Sequence, residues 1–384
     1  MRDRLTKRQS GFSLLEMTVS LALGGIVLAA AVQIYIQGVN ATWATTQRAE
    51  LQQDFRAASN ILTKDLSLAG SGFPGGTAIA LPSTVTPVIG CDQTSTCYIN
   101  GTSMAYPKTS GTAYLYGLLP GYNVGPTLSG TAINDAITVV YTDTNFYLDC
   151  YTATITSATS VTFTLPGSTS SNCTSPTGNT GAQAANDGAV GLTPGDLILF
   201  TFGSNNIVAE VTTAATGGGV TAFAANDVLK MNQAAGVTNS LANNYVASPP
   251  AAALTSGFGQ RIFVITYYLD NTASTPRLMQ QVSGHTPVPV AESVVYLKFT
   301  YDLFNDATNL PAVNCSNPGV ASDGCGGASL NLLPNQVTKI NIQNMAMDGS
   351  QKGNLFGQGK GYQRLSLQTS VCARNLTYVN NYPN

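Results

Sequence analysis

The pattern of apolar and polar positions divides the chain into three stretches. From Phe12 to Ile36, FSLLEMTVSLALGGIVLAAAVQIYI, nearly every position is apolar. Roughly 25 such residues span about 30 Å of hydrocarbon as a helix. Ahead of it, Met1–Gly11 carries Arg2, Arg4, Lys7 and Arg8 against one acid, Asp3. A basic stretch before an apolar run stays on the cytoplasmic side. The run exceeds the apolar segment of a secretory signal, about 7–15 residues, and no small-residue cleavage site breaks the pattern after it. Beyond it, Trp43, Ala44, Gln47, Leu51, Phe55, Ala58, Leu62 and Leu66 recur at three- and four-residue steps. Glu50, Asp54, Arg56, Asn60 and Lys64 lie mostly off that stripe. This is the period of a helix with one buried face. Gly70, Gly72 and Pro74 end it.

After Gly76 the pattern changes to short β-branched or alternating runs between turn residues. Ala136–Thr142, Ser160–Leu165, Asp196–Phe202 and Ile207–Thr213 read as strands. The low-complexity stretches Gly167–Gly191 and Thr213–Asn226 read as loops. From about Gln260 the pattern is more regular. Arg261–Asn271, Pro276–Val282, Ser293–Leu303, Gln336–Met347 and Tyr362–Asn375 alternate as strands of a half-buried antiparallel sheet, and the amphipathic helix is the natural cover for its apolar face.

Composition narrows the function classes. Charged residues make up 9% of the 384-residue chain and the formal net charge is −2, so no strong field favours nucleic acid. The Gly, Thr, Ser, Asn and Ala content resembles that of an exported β-rich protein. Of seven cysteines, three close pairs stand out: Cys91 with Cys97, Cys150 with Cys173, and Cys315 with Cys325. Each would staple a short loop in an oxidising compartment, though spacing alone does not fix connectivity; Cys372 is left over. A zinc site is not expected, since there is no C-x-x-C and the sole histidine, His285, is far from every cysteine pair.

Glu16 is the anomaly in the apolar run, because a carboxylate in a spanning helix is costly unless it is paired. If the chain is cut between Gly11 and Phe12, the new amine at Phe12 of one subunit can pair with Glu16 of its neighbour. That pairing offsets two desolvation costs and fixes helix register. The segment KRQSGFSLLEMTVSLALGGIVL resembles the N-terminal signature of type IV prepilins and type II secretion pseudopilins. The resemblance implies cleavage after Gly11 by a host prepilin peptidase, N-methylation of Phe12, and an assembly role for Glu16. Major pilins often carry a proline later in the span; none lies between Phe12 and Gly72 here, where Gly24 and Gly25 are the soft spot.

A looser resemblance covers the last third. ITYYLD, TPRLMQQV, ESVVYLKFTYDLFND, LLPNQVTKINI and a closing strand ending in CARNL are similar in order to a PilW-type minor pilin, and much of that order is shared with the J-type pseudopilin. The expected fold is α+β, the pilin fold: a long N-terminal helix, half transmembrane and half amphipathic, packed on an antiparallel β-sheet, with a large β-rich insertion. The expected organisation is leader 1–11, filament-core helix 12–36, amphipathic helix 37–70, insertion or second lobe 75–257, and sheet region 258–384.

Catalytic patterns are missing. There is no G-x-S-x-G, H-E-x-x-H, Walker A loop or G-x-G-x-x-G. His285, in GHTPVPV, reads as a solvated residue of a Pro-rich turn. Asp143, Asp149, Asp270, Asp302 and Asp306 read as strand terminators; Asp302, Asn305 and Asp306 match no known calcium loop. Tyr267, Tyr268, Tyr296 and Tyr301 read as packing residues. No enzyme activity and no cofactor are expected. The expected function is that of a minor pilin in filament initiation, at or near the tip. Its expected partners are the prepilin peptidase, other minor pilins, the major pilin, a tip adhesin and the inner membrane. The alternatives are a J-type pseudopilin, or an adhesin or DNA-uptake pilin.

Overall fold

The computed structural model describes residues 11–73, 79–82, 86–109, 111–128, 132–144, 148, 151–164, 191–203, 205–216, 220–223, 227–231, 233–234, 236–244, 257–305, 310–318, 333–352, 362–373 and 375–376. Helix α1 runs Leu14–Ser67, 54 residues without a break, or about 80 Å at 1.5 Å per residue. It holds no proline, and its threonines cost little. Thr18, Thr42, Thr45, Thr46 and Thr63 each donate their hydroxyl to a carbonyl three or four residues back, so these hydroxyls are satisfied within the helix. The helix ends where Gly70 and Gly72 take positive φ, +74° and +77°, a conformation glycine adopts without penalty.

Two units make up the chain: Met1–Gln53 with Gly349–Gln363, and Asp54–Asp348 with Arg364–Asn384. In the first, every described side chain from Phe12 to Ile36 is exposed, with Phe12, Leu15, Leu21, Leu28 and Ile34 at 69–87%. The apolar stripe changes character along α1. Trp43 is exposed at 53%, whereas Leu51, Phe55, Ala58, Leu62 and Leu66 are buried.

The strands, in chain order, are β1 Ile79–Ala80, β2 Val88–Ile89, β3 Met104–Ala105, β4 Lys108–Thr109, β5 Thr112–Leu115, β6 Leu118–Gly121, β7 Ala136–Thr142, β8 Thr152–Ser157, β9 Ser160–Thr164 and β10 Leu197–Phe202. They continue with β11 Asn205–Glu210, β12 Thr213–Thr216, β13 Val220–Ala222, β14 Phe258–Asp270, β15 Arg277–Val282, β16 Val288–Glu292, β17 Val294–Asn305, β18 Leu310–Cys315, β19 Val337–Lys352 and β20 Tyr362–Cys372. A short helix, α2, spans Leu241–Asn244.

The organising strand is β14. Its residues 258–262 pair with β10, 265–270 with β15 and 262–267 with β7, all antiparallel. The resulting seven-stranded sheet runs β11-β10-β14-β15-β16, with β7 and then β6 on the other edge of β14. Strands from both sides of the expected 257/258 boundary therefore share one sheet. A second sheet runs β18-β17-β19-β20. Asn134 and Asp135, just before β7, join the two. Asp135 N–H donates to the Leu297 carbonyl at 3.0 Å, and Leu297 N–H donates to Asn134 Oδ1 at 2.9 Å. Phe299 N–H donates to Asp135 Oδ2 at 3.0 Å, and the Lys298 ammonium lies 2.6 Å from Asp135 Oδ1.

The near-continuous apolar runs of β7, β10 and β14 are explained by cover on both faces. In β10, Leu197 and Leu199 enter one core with Val140, Val264 and Tyr268. Ile198, Phe200 and Phe202 enter another with Phe163 and Phe223. Phe163 belongs to β9 of a four-stranded sheet, β12-β13-β9-β8, and Phe223 directly follows its β13. This corrects the loop expected at Thr213–Asn226, which holds β12 and β13: the segments Thr213–Thr216 and Val220–Ala222 pair antiparallel. The other expected loop, Gly167–Gly191, lies outside the described residues apart from Gly191.

The end of α1 is fixed on the seven-stranded sheet by a buried polar cluster. Asp65 is 6% exposed. Its Oδ2 accepts from the Tyr267 hydroxyl at 2.5 Å and from the Gln280 amide at 3.0 Å, and Gln280 also donates to the Tyr267 oxygen at 2.7 Å. Tyr141 is hydrogen-bonded to Asp65 as well. Burial, then the charge of Asp65, pushes the Tyr141 and Tyr267 phenols far up; both stay neutral donors at any ordinary pH. One carboxylate thus holds β7, β14 and β15 to α1. Asp65→Ala leaves these buried donors short of their acceptor, and is expected to cost about 2–3 kcal/mol. Denaturant unfolding of the full chain in detergent, followed by tyrosine near-ultraviolet dichroism, checks it. Lys64→Ala, at an exposed position, is expected to stay within about 0.5 kcal/mol.

Candidate assembly site

Gly11, Phe12 and Ser13 lie outside the helix, which begins at Leu14. Ser13 is its N-cap. Glu16 N–H donates to Ser13 Oγ at 3.2 Å, and Ser13 N–H donates to Glu16 Oε2 at 3.3 Å. This reciprocal pair satisfies two of the free N–H groups of the first turn, and the helix dipole favours the acid there. Two consequences follow. The Gly11–Phe12 bond sits in non-helical chain ahead of a defined stop, and the Glu16 carboxylate is held back toward Phe12. Both residues are exposed, Phe12 at 87%. The signal for Ser13 was present as S-L-L-E, a capping box, but the sequence reading assigned Ser13 no role.

Further along, a Cβ built on Gly24, Gly25 or Gly38 meets nothing within 4 Å. Among the described residues nothing requires glycine at these three positions.

Cys91 and Cys97 form a disulfide. Its loop is ordered by Asp92, whose Oδ1 accepts from Thr94 N–H at 2.8 Å, Thr94 Oγ1 at 2.6 Å and Thr96 N–H at 3.2 Å, while the Tyr98 hydroxyl donates to Oδ2. Burial opposes ionisation of Asp92, but these hydrogen bonds outweigh it and hold the carboxyl below its usual range. The bond to Asp92 in turn pushes the Tyr98 phenol up to about 12. Cys315 is also disulfide-bonded, with a partner outside the described residues, where Cys150, Cys173 and Cys325 all lie. Cys372 is free and exposed, near the end of β20.

His285 lies in the turn that follows β15 and is partly exposed, as expected, but it is not unpartnered: its Nε2 lies 2.9 Å from Asp196 Oδ1. The end of the Pro-rich segment, from Val288, is strand β16. Proline is tolerated there because β16 is the outer strand of its sheet, where a missing N–H breaks no ladder. Arg261 completes the cluster, reaching Asp143 Oδ2 at 2.5 Å and Asp196 Oδ2 at 3.7 Å. The four side chains form a polar chain, with Arg261 paired to both acids, where the ends of β7, β10, β14 and β15 meet. Asp302 is not a strand end but an inner residue of β17. It accepts from Asn314 N–H and the Asn341 amide, each at 3.0 Å, with Lys339 at 3.5 Å. Asp149 and Asp306 lie outside the described residues. Among the described residues no group of three or more His, Cys, Asp or Glu is placed to hold a metal ion.

Residues 6–32 match the family model of the prokaryotic N-terminal methylation motif. No significant match was found among curated proteins or among solved structures. The motif supports a type IV pilin-like or pseudopilin subunit. It implies processing by a prepilin peptidase and assembly with other pilins, and with the exposed apolar helix it is consistent with membrane anchoring before assembly.

Proposed function

We propose that this chain is a minor pilin of the PilW type, which is cut between Gly11 and Phe12, N-methylated at Phe12 and built into the initiating complex or tip of a type IV pilus. The observation that carries the reading is the coincidence of the motif at residues 6–32 with a bare apolar helix. Glu16 is the sole acid between Phe12 and Ala49. Before assembly the segment 12–36 rests in the bacterial inner membrane, with the leader cytoplasmic and the body periplasmic. In the filament, helices of neighbouring subunits replace the lipid, and Glu16 pairs with the Phe12 amine next door. Gly24 and Gly25 then serve close helix contact.

The segment 75–257 enlarges the pilin-like sheet of 258–384 by adding strands to β14. A body of this bulk suits an end of the filament better than repetition along a thin shaft. Other minor pilins, the major pilin and a tip adhesin are the partners in this reading. The strand order from β14 to β20 keeps a J-type pseudopilin as the second reading. Deletion of the gene separates the two: the first predicts loss of pili and twitching with enzyme secretion intact, and the second predicts the converse. Immunogold labelling of the body should mark one filament end; labels spaced along the shaft would refute the tip assignment.

A further inference from the structure

Glu210 and Asp227 take no part in the assembly reading, yet both are buried, at 1% and 8% exposure. Glu210 ends β11, and Asp227 opens the segment 227–231 that follows β13. Their carboxyl groups are hydrogen-bonded to each other. Leu229 N–H donates to Glu210 Oε2 at 2.9 Å, the Gln93 amide donates to Glu210 Oε1, and Met231 N–H donates to Asp227 Oδ1 at 2.7 Å. Asp227 Oδ2 is buried and receives no N–H or O–H from the described residues. Neither acid forms an ion pair with a described Lys or Arg. Two bare carboxylates repel each other and cannot hydrogen-bond, so the contact requires a proton.

Among the described residues no other charge balances the pair. Tyr106, fully buried, faces Glu210 and is itself pushed up by burial and then by that acid. Gln93, from the Cys91–Cys97 loop, is neutral. Gly284 packs so close that a Cβ there would lie 3.0 Å from both Gln93 Nε2 and Glu210 Oε1. Beyond the Gly195–Gly284 contact, Asp196 and His285 are engaged with each other. Lys230, on the same segment as Asp227, is exposed.

We propose that Glu210 and Asp227 share one proton in the folded protein at neutral pH, and that this proton is a pH-sensitive tie joining β11, the 227–231 segment and the Cys91–Cys97 loop. Burial, then the hydrogen bond to Asp227 and its charge, pushes the Glu210 carboxyl from 4.5 up to about 8. Burial also pushes Asp227 up. The sign follows from proton counting. Between the unfolded value and about 8 the folded chain holds a proton that the unfolded chain has lost. The tie's contribution is therefore complete below the unfolded value, falls as pH rises, and is gone above the folded value. The unfolding equilibrium constant rises by up to about tenfold per pH unit across that window.

The test uses the full chain in detergent micelles, with Glu210→Gln and Asp227→Asn beside the wild type. Thermal unfolding is followed from pH 5 to pH 9, together with the infrared carbonyl band of protonated carboxyl groups. The expected wild-type melting temperature falls across this range, and Glu210→Gln falls distinctly less. The wild type should show a protonated-carboxyl band at pH 7 that disappears with a midpoint near pH 8; the band should be missing from Glu210→Gln and shifted in frequency and midpoint in Asp227→Asn. Parallel melting curves for wild type and Glu210→Gln, or an identical band in wild type and Asp227→Asn, would overturn the proposal. If Glu210→Gln fails to fold, the band comparison with Asp227→Asn decides. None of these readouts depends on filament assembly.

Discussion

Glu16→Gln is expected to leave the leader cleaved but to reduce the chain's recovery in sheared filaments by roughly two to three and a half orders of magnitude. Breaking one side of a buried ion pair costs about 3–5 kcal/mol, because the remaining charge is stranded in an apolar environment, and each 1.4 kcal/mol is about tenfold in an equilibrium. In the filament that stranded charge is the Phe12 amine. Glutamine matches glutamate in size and keeps a carbonyl to accept from Ser13 N–H, so the first turn of α1 remains capped and only the charge is lost. Ser13→Ala separates the two effects. It removes the cap, worth about 1 kcal/mol, and leaves Glu16 ionised, so its defect is expected to be tenfold or less. Glu50→Gln, at an exposed position on the same helix, is the control and should assemble normally. Immunoblots of the sheared and membrane fractions read out all three.

The second large effect is expected from Gly117→Ala. Gly70, with φ +74°, packs directly against Gly117. Gly70 N–H donates to the Val140 carbonyl at 2.8 Å, and Val140 N–H donates to the Gly117 carbonyl at 2.9 Å, so the two glycines flank one residue of β7. A Cβ on Gly117 would lie 2.6 Å from Gly70 Cα and 2.7 Å from Gly70 N. These are backbone atoms and cannot swing aside as a side-chain tip would. The chain leaving α1 would have to lift from β7, with an expected loss of roughly 3 kcal/mol. Gly101→Ala is the comparison. Gly101 also has positive φ, at +72°, but a Cβ there meets nothing within 4 Å, so only the backbone conformation is penalised, by roughly 1 kcal/mol. Chemical denaturation of the full chain in detergent measures both, and equal losses would refute the close-approach argument.

The elements legible in the sequence were those whose own residues dictate them. Helix α1 carries an unbroken apolar run and then a long stripe, and β7, β14, β17, β19 and β20 are strongly β-branched or alternating. Their ends fell within a few residues of expectation except in β19, which runs on to Lys352. The features that escaped notice depend on partners distant in the chain. Strands β1 to β6 are two to four residues long; such segments are strands only because something pairs with them, as Leu115 does with Ile79. The pairing of β7 with β14 joins residues 120 to 130 positions apart, and a reading that moves along the chain placed a boundary between them. Tyr267 was expected to be a packing residue, but its hydroxyl finds Asp65 across 202 positions, which no local pattern shows. The same applies to His285 and Asp196, 89 positions apart. Of the assembly site, Gly11, Phe12 and Glu16 stood out because a charge in an apolar run is an energetic anomaly. Ser13 did not, although it is the residue that fixes where the helix starts.

The central claim is that the chain is shortened to Phe12 before it is used. Intact-mass analysis of the chain, purified from hosts with and without a prepilin peptidase, tests this most directly. The account predicts a mature form in the peptidase-positive host that begins at Phe12 and carries one added methyl group, and a form that still contains Arg2–Gly11 in the other. A chain retaining Gly11 at its N-terminal side in both hosts would contradict it.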